Sequence, residues 1–248
     1  MTAPTAAQLR TFAERGWLVI PNVVASHLRD AAMQDIDRLI AREPPPADKR
    51  GFHFYWRDGL AAPDPLLALL TESGAHDIAQ AMIRPLRLAV PTQAQVSLNI
   101  PPWRHRPGGP HLDGLSPPEP DGRPGTFTLL AGIFLTNQAA PDMGNLWVWP
   151  GSHRTCESHL RAHGPDALFG LAHPQFALSA PEQVTGQAGD LLLAHYMLGH
   201  NMGGNLSPTV RRVVYFRLRS ETHAQRWRDC VQDALLEFAP VRAALAAD

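Results

Sequence analysis

The sequence predicts a mainly β fold with flanking helices, either a β-sandwich or a jelly-roll barrel inside a helical jacket. From Arg87 onward apolar and polar residues alternate in many short segments, as they do in half-buried strands. Segments with helical periodicity precede and follow this region. No internal repeat is evident, which leaves one barrel or sandwich as the expected architecture.

The N-terminal region predicts packing helices and one short strand. Thr5 can cap a first helix that Gly16 ends, because glycine adopts the left-handed conformation at a helix C-terminus without steric cost. Residues 17–20 predict a buried strand. Ser26 is the expected cap of a second helix, which a run of three prolines at 44–46 ends.

The segment before the β region is less regular. Residues 51–59 are dense in aromatic side chains, which can line a pocket but more often belong to a core. A third helix is predicted over about residues 64–83.

Strand 93–100 has one polar and one apolar face, because side chains alternate along a strand. The polar face consists of Gln93, Gln95, Ser97 and Asn99, and a solvent-exposed strand is one explanation of it. Because the strand leads into the His111-x-Asp113 segment, we expect this face to line an interior cavity and the apolar face to pack under the helices. The remaining predictions are strands at 126–135, 145–149, 191–195 and 211–218, a turn at 137–143, an irregular loop at 114–125, an excursion at 154–183 and a closing helix at 222–238.

The chain of 248 residues is expected to form a single domain. We divide residues 1–248 into an N-terminal helical jacket over about 1–85, a barrel core over about 87–218 and a C-terminal helix over about 222–246. With 44% hydrophobic and 18% charged residues, the composition is that of an ordinary globular protein.

Charge and targeting features exclude several classes of partner. A formal net charge of −1 indicates no nucleic-acid or anionic-membrane partner. The basic cluster at 104–106 can face an anionic group on a substrate, but a solvated loop is the favoured interpretation. No segment is long and apolar enough to span a bilayer, and no signal peptide is evident, so we expect a cytoplasmic protein. Two cysteines exclude a disulfide framework.

The motif with the clearest chemistry is His111-Leu112-Asp113. Residues two apart on an extended segment point to the same side, so an imidazole and a carboxylate can reach one metal ion. A second histidine from a distant strand would complete the two-histidine, one-carboxylate set that leaves coordination positions open on non-haem Fe(II). His200 is the candidate, although most of the 12 histidines must be ordinary.

A turn-rich segment separates His200 from Arg211 and predicts a hairpin that brings both to one end of the barrel. A guanidinium there can hold the distal carboxylate of 2-oxoglutarate through two parallel hydrogen bonds. Arg211 and Arg212 point to opposite faces of their strand, so only one of them can do so.

Several motifs resemble the phytanoyl-CoA dioxygenase family in the family's order, over about residues 7–40 and 90–218. They are Ala7-Gln8-Leu9 through Phe12, Gly16-Trp17-Leu18-Val19-Ile20-Pro21, His111-x-Asp113, the run from Met143 to His153 and Gly189-Asp190-Leu191 leading to His200 and Arg211. The Pro-Gly-Ser-His run at 150–153 and the interval from His200 to Arg211 are the most specific.

The resemblance implies a double-stranded β-helix, a jelly-roll of the cupin type, with Fe(II) bound by His111, Asp113 and His200. It also implies 2-oxoglutarate bound by Arg211, O2 as co-substrate and Asn99 near 2-oxoglutarate. Gln93 and Gln95 are weaker candidates for cofactor or substrate contact. The implied reaction is hydroxylation of an unactivated C–H bond of a small molecule, with release of succinate and CO2.

Some positions qualify this interpretation. His195 is the rival of His200 as third ligand, but five residues separate them, so on a regular strand they face opposite sides. His153 is interpreted as structural. Met202 stands where relatives often have serine. Asp113 favours hydroxylation over halogenation, for which relatives have a small residue there, while desaturation, ring formation and epimerisation stay open.

Substrate contacts are predicted for four residues: Trp103, His105, Phe127 and Tyr215. A compact metabolite, such as a natural-product intermediate or an amino-acid derivative, is favoured over a long acyl-CoA. Two alternatives remain at this point: a metal-dependent isomerase or lyase of the cupin type that does not use 2-oxoglutarate, and a non-catalytic binding module. The sequence leaves the oligomeric state open.

Overall fold

The computed structural model of the protein describes residues 3–115 and 117–247. Its helices and strands in chain order are α1 (Ala6–Arg15), β1 (Trp17–Ile20), α2 (Ser26–Arg42), β2 (Gly51–Asp58), α3 (Pro65–Thr71), α4 (Ala75–Ile83), β3 (Gln93–Ile100), β4 (Leu129–Phe134), β5 (Leu146–Val148), α5 (Ser152–His163), β6 (Glu182–Gln183), β7 (Leu191–His195), β8 (His200–Met202), β9 (Arg211–Leu218), α6 (His223–Gln232) and α7 (Ala239–Ala246). Pro165–Gly170 forms a short 3₁₀ helix.

Two antiparallel sheets form the centre of the fold. The larger has the strand order β1-β7-β4-β9-β3-β2, and the smaller has the order β6-β5-β8. An isolated bridge between His111 and His200 extends the smaller sheet. One buried cluster contains Leu146 and Val148 of the smaller sheet together with Leu192 and Val213 of the larger, so the sheets pack face to face. This is the double-stranded β-helix, and the predicted jelly-roll with flanking helices is confirmed.

The other face of the larger sheet packs against the helices. Val96 and Leu98 of β3 share a buried cluster with Ile36 of α2, Leu66 of α3 and Met82 of α4. The predicted outward direction of the apolar face of strand 93–100 is therefore confirmed. Since side chains alternate along strands, the opposite face of the larger sheet looks into the barrel.

The start of the chain follows its prediction closely. Thr5 and Gln8 form a reciprocal capping box at α1, and Gly16 ends the helix in the left-handed conformation with φ of 82°. The predicted strands 17–20, 93–100, 191–195 and 211–218 have the observed bounds.

Three helix predictions differ from the structure. The predicted helix over 64–83 is two helices, because the Ser73 hydroxyl donates to the Leu69 carbonyl at 2.5 Å and Gly74 follows with φ of 81°. The predicted closing helix over 222–238 ends at Gln232, and α7 is a separate helix after it. Ser26 is the first residue of α2 rather than its cap, and Ala25 in the cap position makes no side-chain hydrogen bond.

Two further corrections concern the site. The aromatic segment 51–58 is an edge strand, β2, paired with β3 from Gly51↔Ile100 to Asp58↔Gln93. The segment between His200 and Arg211 is not a simple hairpin, since β8 lies in the smaller sheet and β9 in the larger. His200 and Arg211 therefore lie on different walls of the barrel. In the part of the chain that the structure describes, no helix is long and apolar enough to cross a membrane.

Candidate active site

Between the two sheets lies a cavity of about 260 Å³. Its lining residues are Phe52, Trp56, Gln95, Ser97, Trp103, His105, His111, Asp113, Leu130, Leu146, His200, Asn201, Met202, Tyr215 and Arg217. It adjoins an open cleft of about 910 Å³ that the 114–125 loop borders. Trp56, His111, Asp113 and Arg217 line both spaces, so they form the boundary between the interior and the exterior.

His111, Asp113 and His200 meet at this boundary. The Nε2 atoms of His111 and His200 lie 3.6 Å and 3.8 Å from Oδ1 of Asp113. Reciprocal backbone hydrogen bonds of 2.9 Å and 3.2 Å join His111 to His200 and hold the two segments side by side. One atom from each of the three residues lies within 4.8 Å of the other two, so a single cation can contact all three.

The protonation states of this group suit a divalent cation. The ring nitrogen Nδ1 of His200 donates to the Leu198 carbonyl at 2.9 Å, which leaves the lone pair on Nε2 facing Asp113. Burial, followed by the charge of His111, lowers the pKa of His200 to about 4. Burial raises the pKa of Asp113, but a hydrogen bond from His111 and the charges of His200 and Arg217 together hold it well below its usual range. At neutral pH the group offers a neutral imidazole and a carboxylate.

Arg211 is the most unusual buried residue of the barrel. Only 1% of its surface is exposed, and its guanidinium donates to Gln138 Oε1 at 3.2 Å, Ser97 Oγ at 2.8 Å and the Tyr215 hydroxyl at 2.6 Å. All three partners are neutral, and the described residues provide no carboxylate for it. A buried cation without a counter-charge is strongly unfavourable, so this environment suits an anionic ligand.

Sequence reasoning named neither Ser97 nor Gln138 as a partner of Arg211. Ser97 belongs to the polar face of β3 that is expected to line the cavity, so its position was indicated although its contact was not. Gln138 lies in a turn that carries no pattern. Its side chain reaches Arg211 because backbone hydrogen bonds of 2.9 Å and 3.2 Å pair it with Gly186.

Arg217 is a further site residue that the sequence did not indicate. Its Nη2 atom lies 3.0 Å from Oδ2 of Asp113, the carboxylate oxygen that does not face the histidines. Its guanidinium lies 4.9 Å from the ring centre of Trp56 and 5.6 Å from that of Phe127. Arg217 follows Arg211 and Tyr215 at even intervals on β9, so all three project into the barrel.

Four other predicted residues line the cavity. Gln95 pairs with Tyr215 across β3 and β9, and both side chains face inward. Trp103 and His105 stack with ring centres 4.3 Å apart and cover the cavity near Asn201.

Three predicted residues lie outside the cavity lining. Gln93 donates to Asp58 at 2.6 Å and borders only the open cleft. Asn99 is fully buried, and its amide donates to the Gly203 carbonyl at 2.7 Å. Phe127 is buried beneath Arg217 with its ring centre 4.9 Å from that of Tyr196.

His195 and His153 bind backbone instead of facing the cavity. His195 accepts from the Met197 amide at Nδ1, at 3.0 Å, and its Nε2 lies 2.8 Å from the Ala234 carbonyl. Both nitrogens are therefore engaged, which removes His195 as a rival to His200. His153 lies in α5, and its Nε2 is 3.1 Å from the Ala13 carbonyl. Met202 lines the cavity.

A second cluster with metal-binding side chains, His223, Cys230 and Glu237, lies under the C-terminal helices. Its polar atoms are already engaged, with His223 2.7 Å from Glu237 and 3.0 Å from Thr126. Burial raises the pKa of Cys230, which disfavours a thiolate ligand. We interpret this cluster as a structural hydrogen-bond network.

Comparisons with solved structures agree with this architecture. HygX from Streptomyces hygroscopicus with nickel and 2-oxoglutarate bound is 21% identical and has a TM-score of 0.56, with 89% of this chain and 88% of that chain covered. EctD from S. alaskensis with 2-oxoglutarate and 5-hydroxyectoine is 20% identical and has a TM-score of 0.58, with coverage of 86% and 74%. At these identities the likeness shows the shared fold.

Sequence comparisons extend the relationship. The ectoine dioxygenase of Halomonas elongata is 27% identical over 236 residues, which cover 86% of this chain and 69% of that protein. Residues 12–213 match the family description phytanoyl-CoA dioxygenase (PhyH). The chain therefore belongs to the phytanoyl-CoA dioxygenase family and is a non-haem iron, 2-oxoglutarate-dependent dioxygenase.

Proposed function

We propose that this protein hydroxylates an unactivated C–H bond of a small-molecule metabolite and releases succinate and CO2. Iron is held by His111, Asp113 and His200, and 2-oxoglutarate is held by Arg211. The observation that carries the proposal is the buried Arg211, which has only neutral partners and lies in the same barrel as a group of two histidines and a carboxylate.

The side chains fit the iron assignment in chemistry as well as spacing. Two imidazoles and one carboxylate are the ligand set typical of non-haem Fe(II) oxygenases. When bound, iron and 2-oxoglutarate supply the activation of O2 and the removal of hydrogen from the substrate. The protein orients its ligands through the Leu198 carbonyl on His200 and through Arg217 on Asp113.

Arg211 fits a carboxylate ligand because its fork is already oriented. Ser97, Gln138 and Tyr215 fix the guanidinium plane through one hydrogen bond each. Ser97 and Tyr215 line the cavity, so the guanidinium lies directly behind two side chains of the cavity wall, where its charge favours a carboxylate.

Part of the cavity wall near these groups is apolar. Leu130, Leu146 and Met202 contribute apolar surface beside the polar groups. A dry site strengthens the electrostatic contacts and protects reactive species from side reactions. Asp113 supplies a carboxylate where halogenating relatives have a small residue, which favours hydroxylation over halogenation.

A compact substrate fits the available space. The interior cavity measures about 260 Å³ and opens into the larger cleft, so the reacting carbon lies inside while the rest of the molecule extends outward. Among the related structures, EctD contains 5-hydroxyectoine and one structure of HygX has hygromycin B bound. We place Trp103 and His105 in contact with substrate, and unchanged substrate affinity in Trp103→Ala and His105→Ala would argue against that placement.

Anaerobic titration with Fe(II) and then 2-oxoglutarate tests the proposal. We expect a weak visible charge-transfer band only when both are present, and a weaker band in Arg211→Ala. Arg212→Gln is the matched control, because Arg212 points to the opposite face of β9 and binds Asp37 at 2.7 Å. Absence of the band in the wild type would contradict the proposal and favour a metal-dependent isomerase or lyase. Succinate release then serves as the screen for substrates.

A further inference from the structure

We propose that Arg217 binds a carboxylate group of the substrate, so that the enzyme selects an anionic metabolite with a flat apolar body. This inference rests on the proposed function and specifies the substrate class of the same site. It follows from the position of Arg217, the balance of charge around the metal ligands and the aromatic wall beside it.

Arg217 occupies the position through which a substrate passes. It is the one arginine or lysine among the described residues that line the interior cavity, and it also borders the open cleft. Its side chain is 28% exposed, whereas Arg211 is fully buried behind it. A ligand that enters from the cleft therefore meets Arg217 at the same boundary as the proposed iron ligands His111 and Asp113.

The guanidinium is pre-oriented but only partly used. The Cζ atom of Arg217 lies 4.9 Å from the ring centre of Trp56 and 5.6 Å from that of Phe127, so these rings restrict the orientation of the guanidinium. Its Nη2 atom contacts Asp113 at 3.0 Å. A guanidinium carries five N–H donors in a rigid fork. One nitrogen contacts Asp113, and no other described residue accepts a hydrogen bond from this guanidinium, so the remaining donors are available for a planar acceptor such as a carboxylate.

With Fe(II) and 2-oxoglutarate bound, the charges of the site would not balance without a further anion. Fe(II) contributes two positive charges, and Arg211 and Arg217 contribute one each. Asp113 contributes one negative charge and 2-oxoglutarate two, which leaves one positive charge beside the cavity. A substrate carboxylate on Arg217 neutralises it.

The other cation at the rim, Arg219, is already paired with Glu119 at 2.7 Å. Asp58 accepts from the neutral amide of Gln93 at 2.6 Å and stays an anion, so it does not attract a carboxylate. Neither group therefore competes with Arg217 for the substrate carboxylate.

An aromatic surface of β2 lies next to Arg217 and can contact the part of the substrate that does not carry the carboxylate. Phe52 and Trp56 lie on the inner face of β2, and both line the cavity. Phe54 lies between them on the same face, with its ring centre 5.5 Å from that of Phe52 and 6.0 Å from that of Trp56. This face favours a flat, apolar body over a highly hydroxylated one.

The test compares phenylacetate with phenylacetamide, two molecules of the same shape that differ in charge. Each is titrated into the Ni(II)-loaded enzyme, without and with 2-oxoglutarate, and binding is followed by tryptophan fluorescence, because Trp56 stacks on Arg217. We expect the acid to bind at least about tenfold more tightly than the amide, since the pair differs by one charge-assisted contact. Arg217→Gln should remove this preference, and Arg217→Lys should retain part of it.

Arg212→Gln, which also removes one positive charge from β9, should keep the full preference. Equal binding of acid and amide by the wild type, or no saturable binding of the acid, would overturn the proposal. So would a preference that survives in Arg217→Gln. If Arg217 serves only to hold Asp113, Arg217→Gln will weaken Ni(II) binding while wild type binds acid and amide alike. Failure of the proposed function is separate, because it appears as wild-type enzyme that binds no 2-oxoglutarate.

Discussion

The guanidinium of Arg211 donates a 2.6 Å hydrogen bond to the hydroxyl of Tyr215, four residues farther along the same face of β9. This contact connects the buried cation to a side chain that lines the cavity. It makes the charge of Arg211 part of the cavity wall, although Arg211 itself is only 1% exposed.

Replacing Arg211 should selectively impair 2-oxoglutarate binding. We expect Arg211→Met to raise the Kd for 2-oxoglutarate by about 100-fold or more, because a buried charge-assisted pair is lost. Iron binding should stay within about threefold of wild type, since Arg211 contacts none of the three proposed ligands. Calorimetric titration of the Ni(II)-loaded protein measures the first value and titration of apoprotein the second. Equal loss of both affinities would argue against the assignment, and Arg212→Gln is the control for folding.

Gly132 should matter because it lies opposite Tyr215 in the sheet. A Cβ atom at Gly132 would lie 2.7 Å from the Tyr215 ring. We expect Gly132→Ala to displace Tyr215, weaken 2-oxoglutarate binding by about tenfold and lower the free energy of unfolding by about 1–3 kcal/mol. Gly108→Ala is the matched control, since nothing lies within 4 Å of a Cβ there. Normal 2-oxoglutarate affinity in Gly132→Ala would show that Tyr215 has no role in holding Arg211.

Substitution of His200 should weaken metal binding, whereas substitution of His195 should not. His200→Ala should lower Fe(II) affinity by more than about 100-fold, because it removes a proposed ligand. His195→Gln should keep Fe(II) affinity, since both nitrogens of His195 contact backbone atoms. Titration of each apoprotein with Fe(II) under anaerobic conditions measures this difference. Loss of iron binding in His195→Gln with intact folding would restore His195 as the third ligand.

His195 should also make folding depend on pH. Burial lowers its pKa to about 4 from the value of 6.5 expected in the unfolded chain. Between these values the unfolded chain binds the additional proton, so the free energy of unfolding should fall by about 3 kcal/mol as the pH drops from 6.5 to 4.

The adjacent His153 ring lies 5.2 Å away and is also kept neutral by burial, so it adds to the same trend. Urea unfolding of the metal-free protein across this pH range gives the free energy of unfolding as a function of pH. In His195→Gln the slope of this dependence should be smaller, by the equivalent of about one proton. An unchanged slope would mean that another group dominates.

Local sequence determined the strands and the site motifs. Alternation specified 93–100 and 211–218 with their observed bounds, and because the period is two, it also specified that Gln95, Tyr215 and Arg211 face inward. The His-x-Asp spacing rests on the same periodicity, whereas the interval from His200 to Arg211 crosses from one sheet to the other. Capping chemistry located α1 from Thr5 to Gly16.

Tertiary structure decided which of these residues meet. Arg217 contacts Asp113 only because β9 crosses the barrel beside the 111–113 segment, and no local pattern encodes that approach. Asn99 lies on the inward face of β3 but turns to the Gly203 carbonyl, because the segment after β8 folds over it.

The aromatic segment 51–58 became an edge strand through its pairing with β3, which local propensity does not specify. Sequence periodicity thus determined the direction of each side chain. The packing of distant strands determined its partner, because contacts between walls of the barrel depend on long-range register.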